Sequence, residues 1–174
     1  QQWAVTQNNL GNALQAQGTR AEKSDALRLL HESVDAYRLA LLVFTREQRP
    51  QLWAMTKHNL GSALQEEGTK SEGTEAQRLL QEAVTAYEEA LLVWTRPQRP
   101  QQWAMAQNNL ARAYSNLHDW TTAAQCYESV LSDDRVDVRI KISLLPMEIA
   151  NLIALKRTAE VPVKMKHLIE LLEA

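Results

Sequence analysis

Residues 1–50 and 51–100 are two copies of one pattern. Laid together without a gap, they are identical at about 30 of 50 positions. Trp3-Ala4 returns as Trp53-Ala54 and Trp103-Ala104. Asn9-Leu10-Gly11 returns as Asn59-Leu60-Gly61 and, with one change, as Asn109-Leu110-Ala111. The first unit closes on Thr45-Arg46 and Gln48-Arg49-Pro50, the second on Thr95-Arg96 and Gln98-Arg99-Pro100. A repeat of this length is one supersecondary unit that cannot bury its apolar face alone, so its copies must stack.

Within a unit the apolar spacing is helical. Trp3, Leu10 and Leu14 share one face of a first segment, with Gly11 and Ala13 beside them. Leu30, Val34, Tyr37, Leu41 and Phe44 form a 3-4-3-4 stripe in a second segment, and Leu29, Ser33, Ala36, Ala40 and Val43 run alongside. A helix with two such stripes must be covered on two sides. Gly18 and Gly68 read as left-handed ends of the first helices. Thr74 followed by Gln77 reads as a capping box. Pro50 and Pro100 suit a first helical turn, where no donor is lost. The pattern predicts helices over 2–17, 25–45, 52–67, 75–95, 102–117 and 120–132.

Composition narrows the function classes. Five Gly and five Pro in 174 residues exclude a turn-rich β-sandwich. A net charge of −2 supplies no basic footprint for nucleic acid. A single cysteine, Cys126, excludes an internal disulfide and fits a reducing, cytoplasmic compartment. No apolar run is long enough to span a membrane, and no signal-peptide pattern opens the chain. The start at Gln1, without Met, reads as a piece excised from something longer.

Asn9-Leu10-Gly11-Asn12-Ala13-Leu14, then Gly18, then Ser33-x3-Tyr37-x2-Ala40 resembles the tetratricopeptide repeat. Ala83, Tyr87 and Ala90 fit that family's second-helix pattern fully, and Ala123 and Tyr127 fit it with Val130 in the last place. The third unit, 101–134, has the family's ordinary length of about 34 residues. The first two carry roughly ten more between Gly18 and Ser33 and between Gly68 and Ala83, in phase with the stripe, so they lengthen the second helix. This resembles long-helix bacterial repeats of multidomain signalling and effector proteins. One departure is the tryptophan, which the family places three residues before Leu-Gly. Gln7, Lys57 and Gln107 stand there instead.

The resemblance implies an all-α fold: a right-handed α-solenoid of antiparallel hairpins, with three repeats over 1–50, 51–100 and 101–134. It also implies close helix approach at Gly61 and burial of Leu10, Leu60, Tyr37, Tyr87 and Tyr127. Residues 135–174 are expected to cap the superhelix. Pro146 should kink or break a helix near Leu145, and Pro162 should open a last helix whose inward stripe is Met165, Leu168, Ile169 and Leu172. Trp3 has no upstream helix to cover it. It should be more exposed than Trp53 and Trp103, with further repeats upstream and self-association through the first unit as the expected consequences.

Catalytic signatures are absent from the sequence. There is no glycine-rich phosphate loop, HExxH, Gly-x-Ser-x-Gly or Cys-x-x-Cys. His31, His58, His118 and His167 are dispersed, and His118 occupies the place of Gly18 and Gly68, where a turn residue belongs. Cys126 and the recurrent tryptophans read as packing. No enzyme, cofactor or metal is expected. The resemblance instead implies a groove lined by first helices. By register it takes Asn8, Asn9 and Asn12 from the first unit, His58, Asn59 and Ser62 from the second, and Asn108, Asn109, Arg112 and Asn116 from the third. Lys57, His58 and Arg112 would make it modestly positive. The row Asn9, Asn59 and Asn109 admits two readings: a clamp on the backbone of a bound peptide, or a hydrogen-bonded tie between helices. The expected function is a protein–protein interaction scaffold. The alternative is a regulatory or assembly arm of a larger signalling or effector protein.

Overall fold

The computed structural model describes residues 1–173, and the elements among them are all helices. They fall into two compact units that divide after Trp94. The first unit holds α1 (Gln2–Gly18), α2 (Lys23–Leu41), α3 (Pro50–Lys70) and α4 (Gly73–Leu91). Helices α1 and α2 form one hairpin, α3 and α4 a second, and α2 also packs along α3. The second unit holds α5 (Pro100–Asn116), α6 (Trp120–Leu131), α7 (Val138–Ala154) and α8 (Val161–Glu173), each packed on the next. A 3-10 turn over Thr158–Glu160 precedes α8.

The double stripe on α2 explains this packing. Leu30, Val34, Tyr37 and Phe44 are buried, and so are Ser33, Ala36 and Ala40 beside them. With two buried stripes, α2 lies between α1 and α3. Gly11 lies under Tyr37 and Gly61 under Tyr87; a Cβ on Gly61 would stand 2.8 Å from the ring. The close approach expected at Gly61 is therefore present, and the neighbour is the tyrosine of its own hairpin. The extra segment lengthens the second helix as read: α2 and α4 have 19 residues each, α6 only 12. Pro50 and Pro100 are the first residues of α3 and α5.

Several local readings are corrected. Gly18 and Gly68 lie inside α1 and α3 and take no left-handed conformation. They make room instead, since a Cβ at either would stand 3.0 Å from Cγ of Leu30 or Leu80. The left-handed turn falls at His118, φ 63°, which does end a helix region as its alignment with the glycines suggested. Thr74 is not a cap, because α4 starts one residue earlier, at Gly73. Helices α2 and α4 stop four residues short of the predicted ends. There the amides of Val43 and Phe44 both donate to the Ala40 carbonyl, and the tightened turn folds Phe44 into the hairpin core.

Leu60 is 5% exposed, but Leu10, expected to be buried, is 45% exposed. At this register the side chain borders Ala36 and Leu39 of its own hairpin and stays open beyond them, where a neighbouring helix would cover it. α3 has α2 there. Trp3 is 48% exposed, Trp53 half-buried and Trp103 8% exposed, the expected order. Helix α7 runs through Pro146 without a break. In α8 the expected inward stripe is turned outward: Met165, Ile169 and Leu172 are exposed, and Leu168 is half-buried. On the side of α8 toward α7 stands Lys164 instead, paired at 2.8 Å with Glu148, which is buried on α7. Residue 174, the last of the segment read as a cap, lies outside the described residues.

Candidate functional site

In the first unit the candidate residues of α1 and α3 meet as a polar ladder. Its rungs join residues about one repeat apart, because equivalent positions on neighbouring first helices face one another. Thr56 Oγ1 donates to Asn8 Oδ1 at 3.1 Å, and both side chains are buried. Asn59 Nδ2 donates to Asn12 Oδ1 at 3.1 Å. Gln15 Nε2 donates to Ser62 Oγ at 2.8 Å and to Glu66 Oε1 at 3.1 Å. Thr19 Oγ1 closes the row on Glu66 Oε2 at 2.7 Å.

The tyrosines of the second helices support this ladder from beneath. Tyr37 OH donates to Asn12 Oδ1 at 2.7 Å and lies 3.1 Å from Gln15 Oε1. Tyr87 OH donates to Gln65 Oε1 at 3.0 Å. Burial raises the Tyr37 hydroxyl above the ordinary phenol range, so it stays a donor at any physiological pH. Sequence reading placed the tyrosines in the core and missed this use of their hydroxyls. The signal was there: Gln15 and Gln65 recur with Tyr37 and Tyr87, 22 residues apart.

Of the remaining candidates in this unit, Asn9 and Asn12 are exposed and Asn59 and Ser62 half-buried. His58 is buried between the rings of Tyr87 and Trp94, with centroids 5.6 and 5.3 Å away. Burial lowers its pKa from 6.5 to about 4, so it is neutral near pH 7. Lys57 pairs with Glu89 of α4 at 2.6 Å and lies 5.8 Å from the Trp53 ring centroid. The positive character expected of Lys57 and His58 is thus neutralised by pairing in one and by burial in the other.

In the second unit Arg112 and Asn116 are exposed on α5, and Asn108 and Asn109 are half-buried. Ser115 Oγ lies 3.4 Å from Asn151 Oδ1, and Asn151 Nδ2 donates to the Trp120 carbonyl at 2.7 Å, tying α7 to the α5/α6 hairpin. Away from this face, Arg96 and Arg135 clamp Asp133, with Nε of Arg96 at 2.6 Å and Nη2 of Arg135 at 2.9 Å. Hydrogen bonds from Arg135 and then Arg96 hold that carboxyl below the usual carboxylate range. Among the described residues no cluster of His, Cys, Asp or Glu is suited to a metal ion. No described helix is long and apolar enough to cross a membrane.

Antiparallel hairpins of one repeated pattern, with a polar row on the first helices, define a helical-repeat protein. Residues 103–133 match the family model described as tetratricopeptide repeat, which supports a likeness of the chain to that family. Repeats of this family generally mediate protein–protein interaction and are typically non-catalytic. No curated protein matches the chain in sequence.

Proposed function

We propose that the chain is an interaction scaffold that holds a peptide or protein segment against the first helices. The observation that carries this reading is the state of Asn12. Its oxygen accepts from Tyr37 and from Asn59, so the carboxamide is fixed in place, and its two N–H donors lie on an exposed residue. A fixed donor costs less side-chain entropy on binding than a mobile one. Asn9, one turn before it on the same helix, offers a further exposed polar group. Both readings of the asparagine row enter: Asn59 ties α3 to α1, and the tie presents Asn12.

The test uses a peptide selected from an unbiased display library against the whole chain. Replacing Asn9, Asn59 and Asn109 together by alanine should weaken that peptide about tenfold or more, from a few hydrogen bonds of about 1 kcal/mol each, with little change in melting temperature. Lowered stability with unchanged affinity would make the row scaffold only. A second reading, an assembly arm in a larger protein, is favoured by Val163, Met165, Ile169 and Leu172, which are exposed along α8. Under it, Ile169→Glu would release a neighbouring domain in the full-length protein and leave peptide binding unchanged.

A further inference from the structure

The polar ladder between α1 and α3 is built of neutral side chains, with one carboxylate among them. Helix α1 carries no charged residue from Gln2 to Gly18. On α3, Lys57 is held by Glu89, and His58 is neutral near pH 7. Glu67 is buried and turned to His31 of α2. Glu66 is different. Thr19 Oγ1 donates to its Oε2 at 2.7 Å and Gln15 Nε2 to its Oε1 at 3.1 Å, so one neutral donor holds each oxygen. Among the described residues no cation pairs with Glu66, Lys70 one turn further along α3 included.

The packing of the hairpin does not call for an acid here. The equivalent residue of α1 is Ala16, and its hairpin seats Tyr37 over Gly11 just as the second seats Tyr87 over Gly61. A carboxylate offers about four acceptor sites, two on each oxygen. One site per oxygen is taken, and the two that remain lie side by side. The parallel N–H groups of a guanidinium match such a pair, whereas an ammonium meets it as a point charge. Gln15 also joins Glu66 to the carboxamides. Its Oε1 lies 3.1 Å from Tyr37 OH, which donates to Asn12 Oδ1, so one network fixes both Asn12 and Glu66. Asn59, bonded to Asn12, and Glu66 are seven residues apart on one face of α3. Two helical turns separate them, about 10 Å. That is the span of about three residues of extended chain.

We propose that Glu66 receives the guanidinium of an arginine in the bound peptide, about three residues from the backbone group held by Asn12. The partner is then an extended segment with arginine at one fixed place. This rests on the reading that a peptide lies against the first helices, and it adds the chemistry of one ligand residue.

The test selects peptides from a display library on wild type and on Glu66→Gln in parallel. Glutamine keeps an acceptor for Thr19 and removes the charge, so the melting temperature should hold. Arginine is expected at one register among wild-type binders and not among those of the variant. The leading wild-type peptide is then synthesised with its arginine intact or replaced by neutral citrulline, and both forms are titrated calorimetrically against both proteins. Citrulline should weaken binding to wild type about tenfold and leave binding to Glu66→Gln nearly unchanged. Equal losses on the two proteins would mean that the arginine contacts something else. Wild-type binders without arginine would make Glu66 a tie between α1 and α3 only. Either result overturns the proposal and leaves the carboxamide reading standing, provided the triple alanine variant still weakens the peptide. Coupling between arginine and Glu66 in a peptide indifferent to that triple variant would support the proposal and sink the carboxamide clamp. Failure to select any binder overturns both.

Discussion

The hairpins α1/α2 and α3/α4 share most of their sequence and the tyrosine-over-glycine packing inside them, yet they bury different things. Each has a glycine under a tyrosine ring and a leucine against a second glycine. Leu60 is covered and Leu10 is not; Lys57 is paired with Glu89, and its counterpart Gln7 faces Leu39. Contacts inside a repeat follow from the repeat's own sequence. Contacts on its flanks follow from whatever stands beside it. Stability in such a protein is a sum of these two kinds of term, and the two hairpins separate them.

The largest effect should come from the flank. Leu60→Ala removes a buried side chain between α3 and α2 and should cost about 2–4 kcal/mol. Leu10→Ala, the same change in the same motif, should cost less than about 1.5 kcal/mol, because the leucine is already half in water. Urea denaturation of the two variants measures the difference, and equal losses would mean that neighbouring helices contribute nothing at this register. Next comes the interior term. Gly61→Leu forces a side chain against Tyr87 and should destabilise by about 1–3 kcal/mol. Gly11→Leu should match it, since Tyr37 stands as close to Gly11. A wild-type melting temperature for either variant would contradict the ring placement.

What was legible in the sequence divides along the same line. The repeat period and the 3-4 spacing gave the hairpins, the lengthened α2 and α4 and the prolines at helix starts, because these depend on residues close in the chain. Leu10 was misread because its environment depends on a neighbour, and a repeated motif says nothing about which copy has one. Gly18 and Gly68 were misread for a related reason. Their glycine preference arises from Leu30 and Leu80 of the partner helix, and not from the backbone turn that glycine usually signals. The ladder Asn8–Thr56, Asn12–Asn59 and Gln15–Ser62 joins residues 47 or 48 apart, and only the stacking of first helices brings them together. Sequence supplied its members by register but not its pairings, nor the tyrosine hydroxyls beneath it.

The smallest effect is a pH dependence peculiar to the second hairpin. His58 stands where the other units have Asn8 and Asn108. Folded, it titrates at about 4, against 6.5 unperturbed. Between those values the unfolded chain binds a proton that the folded chain does not, so stability falls as pH drops through this window. Burial shifts Glu67 upward, a shift of opposite sign, because its protonation favours the folded state on acidification. The His58 contribution should therefore appear as a net loss of about 1–2 kcal/mol between pH 6.5 and 4. His58→Asn should remove that loss, and an unchanged profile would place the imidazole in water.

The functional claim is tested most directly by the carboxamides themselves. In the isotope-labelled chain, the side-chain amide resonances of Asn9, Asn12 and Asn59 can be followed by NMR as a display-selected peptide is added. The scaffold reading predicts that the amides of Asn9 and Asn12 shift progressively to saturation, while the Tyr37 ring that anchors Asn12 keeps its packing. Saturable binding that leaves all three carboxamides unmoved would contradict it and put the interaction surface elsewhere on the molecule.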